Sequence, residues 1–241
     1  MHLPNWLPYC GQAPLPAEWL ARWNFDPVLI AVLLLTGFAG YFWRADLRPK
    51  AAAAAMGIAV FLYISPFCAL GSALFTVRIV HDIILVAAFA PLLVAALKIE
   101  QRHITGSLWV WTAIHALTFW LWHAPPLYEL AMSSDMVFWA MQASLTGTAA
   151  IWWAKIIRAP APSAATMLLA TMVAMGALGA LLTFAHRPLY AVHWLTTQGW
   201  GLSALEDQQI AGIVMWAPAS LVYLLAALTI LYRSFGREAA A

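Results

Sequence analysis

The chain has 241 residues, of which 64% are hydrophobic and only 9% charged, with a formal net charge of +2. A soluble domain carries about 25% charged residues, so this chain cannot cover a water-facing surface, and composition alone makes it a polytopic membrane protein. The small net charge and the lack of any basic run exclude a nucleic-acid partner and leave membrane lipid as the surrounding medium. Cys10 and Cys68 stand far apart in the sequence and form no Cys-x-x-Cys, so neither a disulfide framework nor a zinc finger can be read from them.

The first 26 residues are rich in Pro and Trp and show no charged n-region before an apolar run, so no cleavable signal peptide is expected. Seven apolar segments of spanning length follow, at about 27–43, 51–74, 78–97, 107–123, 135–157, 163–186 and 207–232. The expected architecture is an all-α membrane protein, a bundle of seven transmembrane helices. A non-cytoplasmic segment 1–26 precedes the membrane domain 27–235, and a short tail 236–241 follows. Nine basic residues (Arg44, Arg48, Lys50, Lys98, Arg102, Lys155, Arg158, Arg233 and Arg237) fall on one side, and Arg22, Arg78 and Arg187 on the other. That bias predicts an outside N-terminus and a cytoplasmic C-terminus.

Aromatic residues near the segment ends read as interfacial belts: Trp19, Trp23, Trp122, Tyr128, Tyr190 and Trp194 outside, and Tyr41, Trp43, Trp109, Trp152 and Trp153 inside. Pro66, Pro91 and Pro218 lie within spans, where each frees a carbonyl that neighbours must re-satisfy. Ala174, Gly176, Ala177, Gly179 and Ala180 suit close helix contact in the sixth segment. Ser203 followed by Glu206 reads as a capping box for the last helix, with Asp207 in its first turn.

Placing the remaining polar residues on this topology concentrates ligand-type side chains toward the outer face. His81 and Asp82 open the third span, and His123 ends the fourth before Pro125-Pro126. His115 lies eight residues earlier, about 12 Å deeper on an ideal helix. Asp207 opens the seventh span and Met215 sits two turns further in. An ionisable residue inside a span is a functional hypothesis by default. Imidazole suits copper, zinc and iron, and thioether favours monovalent copper. Ordinary roles remain open for each: a hydrated helix start for His81-Asp82, a helix end for His123, a structural hydrogen bond for His115, a cap for Asp207 and core filling for Met215.

Trp23-Asn-Phe-Asp26-Pro27, then His81 followed by Ala90-Pro91, then Leu121-Trp-His123-Ala-Pro125-Pro126-Leu-Tyr128 occur in order, and Asp207-Gln-Gln209-Ile-Ala-Gly212-Ile-Val-Met215-Trp216 opens the last span. Together they resemble the polytopic CtaG family of cytochrome c oxidase assembly factors, over nearly the whole chain. The resemblance implies a non-enzymatic, multi-pass protein of the bacterial inner membrane that matures a haem-copper oxidase. Copper is the implied cargo, with oxidase subunits and periplasmic copper chaperones as partners. His81, His123, Asp207 and Met215 fall on the family's motif positions. The family commonly has a histidine where this chain has Val77, and histidines in the fifth span where it has Trp139, Met141 and Gln142. A haem-b or quinone redox protein, a copper transporter and a metal-free scaffold are the competing readings.

Overall fold

In a computed structural model, residues 7–43 and 46–238 are described, with side chains to 236. His2, Arg44 and the end of the tail lie outside them. The described residues form helices and no strand. These are α1 (Pro27–Phe42), α2 (Pro49–Tyr63), α3 (Pro66–Ala73), α4 (Phe75–Ile84), α5 (Ala90–Ala96), α6 (Leu108–Trp122), α7 (Pro125–Ala131), α8 (Asp135–Arg158), α9 (Ala161–Thr183) and α10 (Ala204–Glu238).

Local chemistry sets the helix ends. Pro27 occupies the first turn of α1, where its missing N–H costs nothing, and the Asp26 carboxylate accepts from Val28 N at 2.7 Å and Leu29 N at 3.1 Å. Ser65 and Pro66 do the same for α3, so the second apolar segment breaks at Tyr63–Pro66 and bends by 46°. α4 continues through one π-helical turn, Leu85–Phe89, into α5. That turn lies just ahead of Pro91. In its register the Val86 carbonyl would need the amide that Pro91 lacks, and Trp153 Nε1 donates to it instead, at 2.8 Å.

Among the described residues, three helical stretches are long and apolar enough to cross a membrane: Phe75–Ala96, Ala161–Thr183 and Ala204–Gly236. The bent pair α2 and α3 makes a fourth if it is one span. The seven expected segments therefore all lie on helices, but length and composition qualify fewer than seven. α1 and α6 stop at 16 and 15 residues, short of the roughly 20 that a bilayer core requires. α8 is 24 residues long but carries Asp135, Lys155 and Arg158 at its ends and Gln142, Ser144, Thr146 and Thr148 within.

α9 and α10 make the most intimate pair. A Cβ on Gly212 would lie 2.6 Å from Gly179 O and 2.7 Å from Thr183 N, so the two backbones touch where the small residues of α9 permit it. α1 is the opposite case: only Leu29 is buried, and α2 is its main neighbour.

One end of the bundle is capped by the N-terminal segment, α7 and the 184–203 loop. Trp200 Nε1 donates to Pro14 O, Thr196 Oγ1 to Ala73 O, and Leu189 N to Gln208 Oε1. The far end gathers basic side chains onto backbone carbonyls: Lys155 Nζ donates to Ile104 O and Gly106 O, and Arg158 to Arg102 O, while Arg48 pairs with Glu100 at 2.7 Å.

Two expectations fail here. Trp152 and Trp153 are not belt residues, being 0% and 8% exposed, with Trp152 Nε1 donating to Thr112 Oγ1 inside the bundle. Tyr128 and Tyr190 are likewise interior, each held by a hydrogen bond of its hydroxyl. Cys10 and Cys68, whose spacing let no disulfide framework be read, form a disulfide with 5.3 Å between Cα atoms. The bend at Pro66 seats α3 against the N-terminal segment, a juxtaposition that sequence separation hides.

Candidate functional site

α4 runs inward from the capped end and buries Phe75, Arg78, Ile79, His81 and Asp82. Its N-terminal amides lack a cap from their own chain segment, because Leu74 occupies the N-cap position. Asp207, from the first turn of α10, supplies it. Its carboxylate accepts from Phe75 N at 2.6 Å and Thr76 N at 3.2 Å, and Thr76 Oγ1 donates to Asp207 O. An anion here also complements the positive end of the helix dipole. The capping box beside it forms as expected: Ser203 N donates to Glu206 Oε2 at 2.8 Å, and Glu206 N donates back to Ser203 Oγ.

Beyond this cap lies a buried polar cluster. Arg78 is fully buried, with its guanidinium against Gly71, Nη2 at 3.9 Å from Cys10 Sγ and Cζ 5.3 Å from the Phe138 ring centroid. A Cβ on Gly71 would sit 3.1 Å from Nη2, so glycine makes room for the charge. One turn on, His81 Nδ1 lies 3.3 Å from Asp82 Oδ1, and the imidazole packs between Tyr63 and Phe67. Asp82 lies within electrostatic reach of His123, Tyr63 and Tyr128. Tyr63 in turn donates to Gln142 Oε1 at 2.8 Å.

His123 closes α6. Its Nδ1 meets Phe119 O at 2.7 Å, its ring stacks on Phe119, and its carbonyl accepts from Tyr190. Tyr128 and His193 share a 2.8 Å contact from hydroxyl to Nε2 under the capping loop. Burial pushes His193 down from the usual imidazole range to about 3, with the positive charge of Arg78 acting the same way.

What marks this cluster is unfinished hydrogen bonding. Arg78 Nε and Nη1, His123 Nε2, Gln142 Nε2, Ser72 Oγ and Thr197 Oγ1 are buried without a partner, and His81 Nε2 and His193 Nδ1 lack hydrogen bonds of ordinary geometry, with only the Leu62 and Ala73 backbone within reach of the two rings. Buried polar atoms normally find one, and each orphan costs about 1–3 kcal/mol. Groups of this kind are completed by buried water or by a bound ligand.

All six residues expected at the site are interior, none facing lipid. The structure joins His81 to Asp82 and places Asp82 near His123. Asp207 sits at the head of the same helix, with both carboxylate oxygens engaged by amides. His115 is set apart: its ring stacks on Trp152, its Nδ1 meets Thr148 Oγ1 at 3.3 Å, and its Nε2 has no partner. Met215 is fully buried on α10. Among the described residues, no three His, Cys, Asp or Glu side chains come together to hold a metal ion. Imidazole nitrogens are present for a soft cation, but a closed multi-ligand cage is not.

Arg78, Tyr63, Tyr128 and Gln142 belong to the cluster although the sequence reading gave them no part in it, and His193, read from sequence as an outer-face loop histidine, joins them. The signal for Arg78 was available: it stands three and four residues before His81 and Asp82, on one helical face. The tyrosines carried none, since an interfacial belt and a buried donor look alike in sequence.

Residues 29–236 match the family described as cytochrome c oxidase caa3 assembly factor. Comparison with curated proteins and with solved structures returns no match.

Proposed function

Because the chain belongs to the cytochrome c oxidase caa3 assembly factor family, we propose that it is a multi-pass protein of the bacterial inner membrane that helps load copper into the oxidase at the outer face. Its role is that of a chaperone rather than a catalyst, with oxidase subunits as recipients and periplasmic copper chaperones as donors. The seven helical segments cross the membrane, α1 and α6 with their short apolar cores and α8 with its polar residues turned into the bundle. The capped end faces outward. Two observations support this orientation: the basic side chains gather at the far end, and the disulfide lies at the capped end, as an oxidising compartment requires.

The observation that carries the copper reading is the pair of buried imidazoles in the outward half beside Asp82: His123 Nε2 has no partner, and His81 Nε2 has no hydrogen bond of ordinary geometry, only the nearby Leu62 backbone. Monovalent copper is content with two soft or borderline ligands, so transient holding needs no third group. His115 Nε2 and Met215 offer a deeper position. Asp82 orients His81 through Nδ1, as a carboxylate commonly does for a ligating imidazole. Asp207 contributes by fixing the start of α4, and so the placement of His81.

A metal-free scaffold is the second reading, favoured by the absence of a three-ligand group among the described residues and by the engagement of Asp207 as a cap. Anaerobic metal analysis and an optical spectrum of the purified protein decide between them. Copper lost on His81→Gln with His123→Gln supports the first reading. Copper-free protein that still restores oxidase in a deletion strain supports the second. A Soret band would overturn both in favour of haem.

A further inference from the structure

The disulfide is not an isolated staple. Cys68 is fully buried on α3, next in sequence to Phe67, whose ring stacks over His81 at 6.3 Å. Cys10 lies 3.9 Å from a guanidinium that has two further nitrogens without partners and no ion pair within 4 Å among the described residues. A buried cation without a close anion is costly, and here it is spent against sulfur. A cleft of about 250 Å3, lined by Pro8, Gln12, Ala13, Ser72, Val192 and Thr196, opens next to the same segment at the capped end.

From this arrangement we infer that Cys10 and Cys68, once reduced, form a second, redox-gated site for monovalent copper. Two cysteines already bridged need only a small separation of their sulfurs to hold one ion in linear coordination. Thiolate is the ligand class that selects monovalent copper. Two thiolates and one cuprous ion carry a net single negative charge, and Arg78 stands where that charge would be compensated. Opening the gate requires a reductant, a protein dithiol at the outer face. It gives two electrons and two protons to the Cys10–Cys68 disulfide and leaves as a disulfide itself. Copper then displaces both thiol protons. In the oxidised form seen here the sulfurs bind each other and the site is closed. The direction of transfer follows from position, since Arg78 and His81 lie on the same face of α4, three residues apart, with the disulfide beside the first. A protein disulfide at the outer face takes the two electrons back, with two protons from water, and leaves as a dithiol; the Cys10–Cys68 bond re-forms, and the copper it releases meets the imidazole pair next.

The inference goes beyond the imidazole site proposed above and is tested apart from it. Full-length protein in detergent, oxidised or reduced by a phosphine and desalted anaerobically, is titrated with cuprous ion against a chromophoric cuprous chelator. The reduced form should retain an additional equivalent of copper over the oxidised form, and x-ray absorption should show sulfur ligands to it. The His81→Gln, His123→Gln variant should keep that increment, and the Cys10→Ser, Cys68→Ser variant should lose it. Because losing the disulfide, by reduction or by substitution, can unfold a protein, the reduced wild type must match the oxidised form in helicity and in size-exclusion profile, and an increment seen only in unfolded protein overturns the inference. Equal copper in both redox forms, or copper without sulfur ligands in the reduced form, overturns the inference. Loss of the increment in the histidine variant overturns it too while leaving the imidazole site standing.

Discussion

The two ends of the bundle are built on different principles. Toward the far end the core is largely apolar, with Trp152, Trp153, Ile156, Val94 and Leu168 buried and Trp153 closing the gap that Pro91 opens, and the Tyr223 hydroxyl against the two tryptophans is an unpartnered exception. Toward the capped end an arginine, two aspartates, three histidines and two glutamines are all at most 4% exposed, and several keep unpartnered atoms. Close packing makes a helix pair stable in lipid; buried polar groups left unsatisfied make it less so. The difference separates the part of the molecule that holds the fold from the part proposed to bind.

The largest expected effect breaks the packed pair. Gly212→Leu would drive a side chain into the backbone of Gly179 and Thr183, and should cost about 3 kcal/mol or more. The check is thermal unfolding of detergent-purified protein followed by size exclusion. A melting temperature unchanged from wild type would mean that α9 and α10 do not meet there.

Next comes the cap that joins the two principles. Asp207→Ala leaves the amides of Phe75 and Thr76 without their acceptor, a loss of about 2–3 kcal/mol. Asp207→Asn keeps an acceptor oxygen and should recover much of it, together with copper binding. If Asn instead loses copper as completely as Ala while remaining stable, Asp207 is a ligand and not a cap.

Acid sharpens the contrast further. His193 is held far below the ordinary imidazole range, near 3, by burial. Its folded pKa is depressed, so between about 6.5 and 3 the unfolded chain binds a proton that the folded chain does not. Stability is therefore full above about pH 6.5 and falls as the pH drops toward 3, by about 2 kcal/mol at pH 5 from this group. Melting temperatures of wild type and His193→Gln between pH 7.5 and 5 measure it, with the steeper fall expected in the wild type.

The smallest effect lies on the surface of the capped end. Ser203→Ala removes one side of the capping box and should cost about 1 kcal/mol, leaving oxidase maturation intact.

Much of this was legible beforehand for a physical reason: apolar run length and proline position are properties of single segments. All seven segments sit on helices within a few residues, and the capping box and the small-residue face of α9 behave as their chemistry requires. What was hidden depends on which segments meet. Nothing in the spacing of Cys10 and Cys68 says that Pro66 folds α3 back against the N-terminal segment. Asp207, next to a local capping box, looked like a first-turn acid for its own helix, yet its carboxylate serves α4. His81 and His123, readable in sequence as a hydrated helix start and a helix end, each stack on an aromatic ring, so their substitution must be by a side chain of similar shape.

The central claim is that the buried imidazoles of the capped end handle copper for the oxidase. Its most direct test is the copper content of caa3 oxidase purified from copper-limited cells that carry the His81→Gln, His123→Gln variant, with insertion of the variant verified by immunoblot. Oxidase that assembles its haem but lacks copper, and regains it when the medium is copper-replete, is the result expected. Oxidase fully loaded with copper under limitation would contradict the claim.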